Sequence, residues 1–134
     1  PTRAARLAQM RLIARRYLVK EDFRTGADNS KTERFELRLL PNPVYRYPEQ
    51  AVGPSDGSVF AHVLGTDPEV LMLIEAELNA TKPVWRVAFA PLTCFACQTF
   101  EGAQQVWSVE ERMHKSKESD PYHIWGHHQE FQGE

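Results

Sequence analysis

Cysteine is scarce in this chain, and so is every arrangement that would announce a ready-made chemistry. Two cysteines, Cys94 and Cys97, stand among 134 residues, with no strong catalytic, metal or phosphate-binding signature beside them. No run approaches the roughly 18 apolar residues needed to span a bilayer, so no transmembrane segment is expected. Excess charge of one sign is missing too. Sixteen basic against eighteen acidic side chains give a net charge of −2, which excludes the strongly basic balance of a dedicated nucleic-acid binder. The chain starts at Pro1 with neither an initiating Met nor a signal-peptide core, consistent with a mature or trimmed product whose compartment, exported or cytoplasmic, stays open.

What is present is a sheet. Asp56 to Leu64, the turn residues Gly65-Thr-Asp-Pro68, and Glu69 to Leu78 read as a hairpin; Asn79 to Lys82 then leads into a third strand, Pro83 to Ala90. Loop length predicts the register. With Gly65 to Pro68 as the turn, Leu64 faces Glu69, His62 faces Leu71, Phe60 faces Leu73 and Ser58 faces Glu75. The next turn sets Glu75 against Arg86, Ala76 against Trp85, Ile74 against Val87 and Met72 against Phe89. One face is then wholly apolar, carrying Val59, Ala61, Val63, Val70, Met72, Ile74, Ala76, Trp85, Val87 and Phe89. The other mixes Phe60, His62, Leu64, Leu71, Leu73 and Ala88 with Ser58, Glu75 and Arg86. Both faces are too apolar for one to be simply wet, which calls for a second covering layer.

The candidates for that layer are the N-terminal helix, closure of the sheet into a barrel, or another subunit. Leu7, Met10, Ala14, Tyr17 and Leu18 recur at helical spacing, predicting an N-terminal helix that ends near Arg16. Tyr17, Val19, Glu21 and Phe23 can also be read at period two, before the turn-rich break Thr25 to Ser30. Arg34 to Leu40 alternates as a half-buried strand, Pro41-Asn-Pro43 breaks it, and Val44 to Tyr47 resumes briefly. Pro48 to Asp56 is a loop. A last hairpin runs through Gln98 to Phe100, Glu101-Gly102-Ala103 and Gln104 to Val109. The predicted fold is α+β: an N-terminal helix packed on a strongly curved antiparallel sheet of about seven strands, closing toward a barrel if Tyr17 to Phe23 pairs with the last strand. Residues 1–109 form this domain and 110–134 a polar, His-rich tail.

The succession Leu37-Arg-Leu-Leu-Pro-Asn-Pro-Val-Tyr-Arg-Tyr47, Asp56-Gly-Ser-Val-Phe60, Gly65-Thr-Asp-Pro-Glu-Val70 and Gly102 to Val106-Trp107 resembles a family of uncharacterised, mostly planctomycete bacterial proteins. The resemblance spans residues 5 to 108, and its motifs are turns and apolar strands. It implies a fold. The family has no established activity, so no catalytic residue is carried over, and its members often look exported. The His-rich tail departs from the family pattern.

Three places could carry chemistry. Ser58, His62, Glu75 and Arg86 on the mixed face, with Arg46 or Arg38, would line a ligand site if the sheet curls, His62 serving as acid or base with Glu75 orienting it and Arg86 holding an anion. The ordinary reading is a Glu75–Arg86 cross-strand pair and a border histidine. In the tail, His123 and His127 could share a helical face toward a metal, with His114 and His128 as additions, although a proline precedes them and a glycine interrupts. The basic residues Arg3, Arg6, Arg11, Arg15, Arg16 and Lys20 could meet anionic lipid or nucleic acid, or could simply be a solvated face. Cys94 and Cys97, read as strand residues three apart, point to opposite faces and are taken as structural. No cofactor and no metal is expected. The sequence therefore predicts a non-enzymatic interaction or small-ligand-binding module, with a protein partner or a second copy as the expected company. A small enzyme built on His62, or an accessory subunit of a larger assembly, is the alternative.

Overall fold

The computed structural model describes residues 2–48, 56–77 and 84–112. Helix α1 (Arg3–Ala14) is followed, among the described residues, by nine strands: β1 (Tyr17–Thr25), β2 (Lys31–Glu36), β3 (Arg38–Leu39), β4 (Tyr45–Arg46), β5 (Gly57–Leu64), β6 (Asp67–Glu77), β7 (Val84–Pro91), β8 (Ala96–Glu101) and β9 (Gln104–Val109). The α+β class is as expected. The helix starts where Thr2 accepts the Ala5 N–H on its hydroxyl at 3.2 Å, and Arg15 is its C-cap.

The single curved sheet is not what forms. Two antiparallel sheets replace it, one ordered β2-β1-β8-β9 and the other β3-β5-β6-β7, with β4 also paired to β5. Neither closes into a barrel, because β1 pairs with β2 and β8 and not with the last strand. The strand expected over Arg34 to Leu40 changes sheets in its middle. The Leu37 N–H donates to Val19 O in the first sheet at 2.9 Å, and the Leu40 N–H donates to Ala61 O in the second at 2.9 Å.

The β6–β7 register is as the loop lengths predicted, with Glu75 opposite Arg86, Ile74 opposite Val87 and Met72 opposite Phe89. The β5–β6 register is not. Leu64 pairs with Asp67, so the turn is only Gly65-Thr66, and Gly65 takes the positive φ of 61° that the first central position of such a hairpin favours. Glu69 is then bulged out: Val63 pairs with Pro68, but His62 pairs with Val70, Phe60 with Met72 and Ser58 with Ile74. This brings Ser58, Phe60 and His62 onto the same face as Met72, Ile74, Trp85, Val87 and Phe89. Val59, Ala61 and Val63 go to the other.

That inner face is covered twice. Over one part lies α1, with Met10 and Ala14 packed on Phe60, Met72 and Ile74. Over the other lies the first sheet, with Val19, Leu37 and Cys97 packed on Val70. Phe89 belongs to both clusters, its ring 5.3 Å from Tyr17 and 5.7 Å from Trp107. Burying each of these large side chains stabilises the fold by about 1.5–3 kcal/mol.

At the start of β5, Gly57 lies against the Tyr47 ring, whose hydroxyl donates to Glu75 Oε2 at 2.9 Å. A Cβ on Gly57 would sit 2.7 Å from Tyr47 Cε2. Gly57→Ala is therefore expected to destabilise the fold by about 1–3 kcal/mol through overpacking. An unchanged urea midpoint would show that Tyr47 yields freely.

Candidate functional site

The bulge separates the residues that the sequence had grouped. Ser58 and His62 are buried on the inner face, and His62 is 1% exposed. Glu75 and Arg86 face each other on the opposite side of the same sheet. His62 and Glu75 thus share no surface, and in this conformation a substrate has no access to the ring. Arg46 is occupied elsewhere, and Arg38 donates to Gly65 O at 3.3 Å. His123 and His127 lie outside the described residues, as do His114 and His128. Among the described residues, no group of three or more His, Cys, Asp or Glu side chains is arranged to hold a metal, and no helix is long and apolar enough to cross a membrane.

Several of the basic residues are committed within the chain. Asp56, whose side chain is 2% exposed, accepts Arg6 Nε at 2.9 Å, Arg46 Nε at 3.1 Å and Arg46 Nη2 at 2.5 Å. Arg46 Nη2 also donates to Arg3 O, and Arg3 Nη2 to Tyr47 O, each at 2.7 Å. Burial alone would raise the Asp56 pKa, but the bonds from Arg46 and Arg6 outweigh it and hold the carboxyl below its ordinary value. Arg11 donates to Asn42 Oδ1 at 2.6 Å, Arg16 pairs with Glu101, and the Lys20 ammonium stands 5.4 Å from the Phe100 ring centroid. These partners leave far less unopposed charge for lipid or nucleic acid than the sequence suggested.

A second polar group sits between the sheets, and sequence reasoning passed over it. Glu21 is fully buried on β1, opposite Phe35 on β2 and Cys97 on β8, with no hydrogen-bond partner in good geometry for either carboxylate oxygen. Burial pushes its pKa up to about 7, the nearby Thr93 hydroxyl opposing and the Glu69 charge adding to the rise. Burial, with Glu21 next in effect, pushes the Cys97 thiol up to about 12, which removes thiolate chemistry at neutral pH. Both cysteines are buried and unbridged. Cys94 precedes β8 in a bend, not in the strand, so the opposite-faces geometry does not apply to it. The period-two row Tyr17, Val19, Glu21, Phe23 was the signal: a lone acid in an apolar row.

No family model, no curated protein and no solved structure matches this chain.

Two expected outcomes follow from the buried charges. Glu21 is raised from 4.5 to about 7, so the folded chain holds a proton that the unfolded chain has lost, and stability falls as pH rises through that window. His62 is lowered by burial from 6.5 to about 4, against a smaller pull from the Tyr17 backbone, so its contribution rises with pH over a nearly coincident window. The slopes oppose. Urea unfolding should show a shallow profile for the native chain between about pH 4.5 and 6.5, a rise of about 2 kcal/mol for Glu21→Gln and a fall of similar size for His62→Leu. Parallel profiles for all three would refute the assignment. Asp56→Asn should cost about 3 kcal/mol or more by stranding two guanidiniums. It should also reduce the native chain's loss of stability as pH falls below the ordinary carboxylate value, checked by the same unfolding series carried into acid.

Proposed function

We propose that this protein is a non-enzymatic protein-interaction module that works through the outer side of β6 and β7. The observation that carries the reading is the make-up of that side. Its rows cross the sheet as Ala90–Leu71–Ala61, Ala88–Leu73–Val59 and Arg86–Glu75–Gly57. Ala88 and Ala90 are exposed, Leu71 and Leu73 are half-buried, and Val84 keeps 44% of its surface in water. The charges within these rows are Glu75 and Arg86, set directly opposite each other. A surface of small and branched apolar side chains framed by two opposite charges in cross-strand register suits contact with another polypeptide better than it suits turnover. The alternative, acid or base catalysis by His62, has no comparable support, because that ring is sealed under the helix side of the sheet.

A photo-reactive benzoylphenylalanine at position 88, in the cells that make the protein, should give an adduct of discrete mass. The same group at position 15, the exposed C-cap of α1, should give none. Absence of an adduct at 88, or equal adducts at both positions, would overturn the reading.

A further inference from the structure

We infer that the partner on this side is a second copy of the chain, joined by antiparallel pairing of β7 with β7 about a two-fold axis at Val87. The inference rests on the interaction reading above and names its partner. Its starting point is the sheet edges. Among the described residues, no strand pairs with β7 on the side away from β6. Every other edge carries a device that discourages strand addition. The β2 edge, Lys31–Glu36, is four-sixths charged, with Lys31, Glu33, Arg34 and Glu36. The β9 edge is broken by a bulge that ejects Val106 between Gln105 and Trp107. The β3 and β4 strands are two residues long and separated by Pro41 and Pro43. β7 has eight residues, no bulge, Arg86 as its sole charge and a proline only at its last position.

The strand is also self-complementary in one register. With the axis at Val87, Val84 stands opposite the second copy's Ala90, Trp85 opposite Phe89, and Arg86 opposite Ala88. Seven residues of each strand pair, and Pro91, which has no N–H to give, falls outside the ladder. Moving the axis to Arg86 would oppose two guanidiniums, which is disfavoured. Moving it to Ala88 would draw Pro91 into the ladder. In the favoured register the inner row gains a Trp–Phe cross-strand contact on each side of the axis, and Trp85, Val87 and Phe89 are half-buried in the single chain, with surface still to cover. An isologous contact of this kind closes on itself and does not propagate into a filament.

Sedimentation velocity of the full chain over a range of concentrations reads the outcome. The native protein is expected to dimerise. Ala88→Lys places a cation directly across from Arg86 of the other copy, twice per dimer, and should weaken association about tenfold. Ala88→Glu should tighten it, and Arg86→Glu combined with Ala88→Lys should restore it. Position 88 is solvent-exposed, so the single variants fold. A native chain and an Ala88→Glu variant that both remain monomeric, or Lys and Glu acting alike at 88, would overturn the inference. A monomer that nonetheless forms a discrete adduct with a different protein at position 88 would overturn this inference and leave the interaction reading standing. A monomer without any adduct would remove both.

Discussion

A single extra residue in β6 decides which side chains of the second sheet meet the helix. The two-residue turn at Gly65-Thr66, continued without a bulge, would oppose Phe60 to Leu71 and His62 to Glu69, and would carry Glu75 and Arg86 into the core beneath α1. Ejecting Glu69 reverses that parity, so Phe60, Met72 and Ile74 point inward together and the Glu75–Arg86 pair points out. The same residue does a second job. Its carbonyl accepts the N–H groups of Leu92 at 2.7 Å and Thr93 at 3.3 Å, where the chain leaves β7 for the first sheet. Face selection and sheet crossing thus hang on one backbone irregularity.

Buried charge is handled in two contrasting ways. Asp56 is surrounded by donors from α1, β4 and its own neighbour Gly57, and so fixes the helix to the beginning of β5 while staying ionised. Glu21 and His62 have no such donors, and low-dielectric surroundings drive each toward its neutral form. Neutral groups in a dry interior pack as awkward hydrophobes. They explain why polar residues in this core do not by themselves mark a site.

Much of the architecture was legible in the sequence. Helix, hairpins and the β6–β7 register follow from spacing and loop length, because a regular ladder preserves parity from one end to the other. The β5–β6 register did not, since alternation in Gly57 to Leu64 is satisfied on either face and only the bulge chooses between them. The change of sheet at Leu37 was hidden for a related reason: Arg34 to Leu40 alternates without interruption while its hydrogen bonds pass from Val19 to Ala61. The candidate site inherited the register error, which had put Ser58 and His62 on one face with Glu75 and Arg86; the bulge parts them. Asp56 looked like the end of a loop because the cations that bind it lie 10 and 50 positions away along the chain.

The order of strands in the first sheet has a consequence for the protein as it is made. The second sheet draws on one continuous stretch, from β3 to β7, and can assemble with α1 as soon as that stretch has left the ribosome. The first sheet is divided between the beginning and the end of the described chain. β1 waits for β8, whose partner residues are separated from it by as many as 84 positions, as in the Tyr17–Glu101 pair. Until then the β1–β2 hairpin holds a bare inner edge, and the far half of the second sheet's apolar face has no cover. A nascent chain paused before Ala96 would therefore be the form most in need of a chaperone.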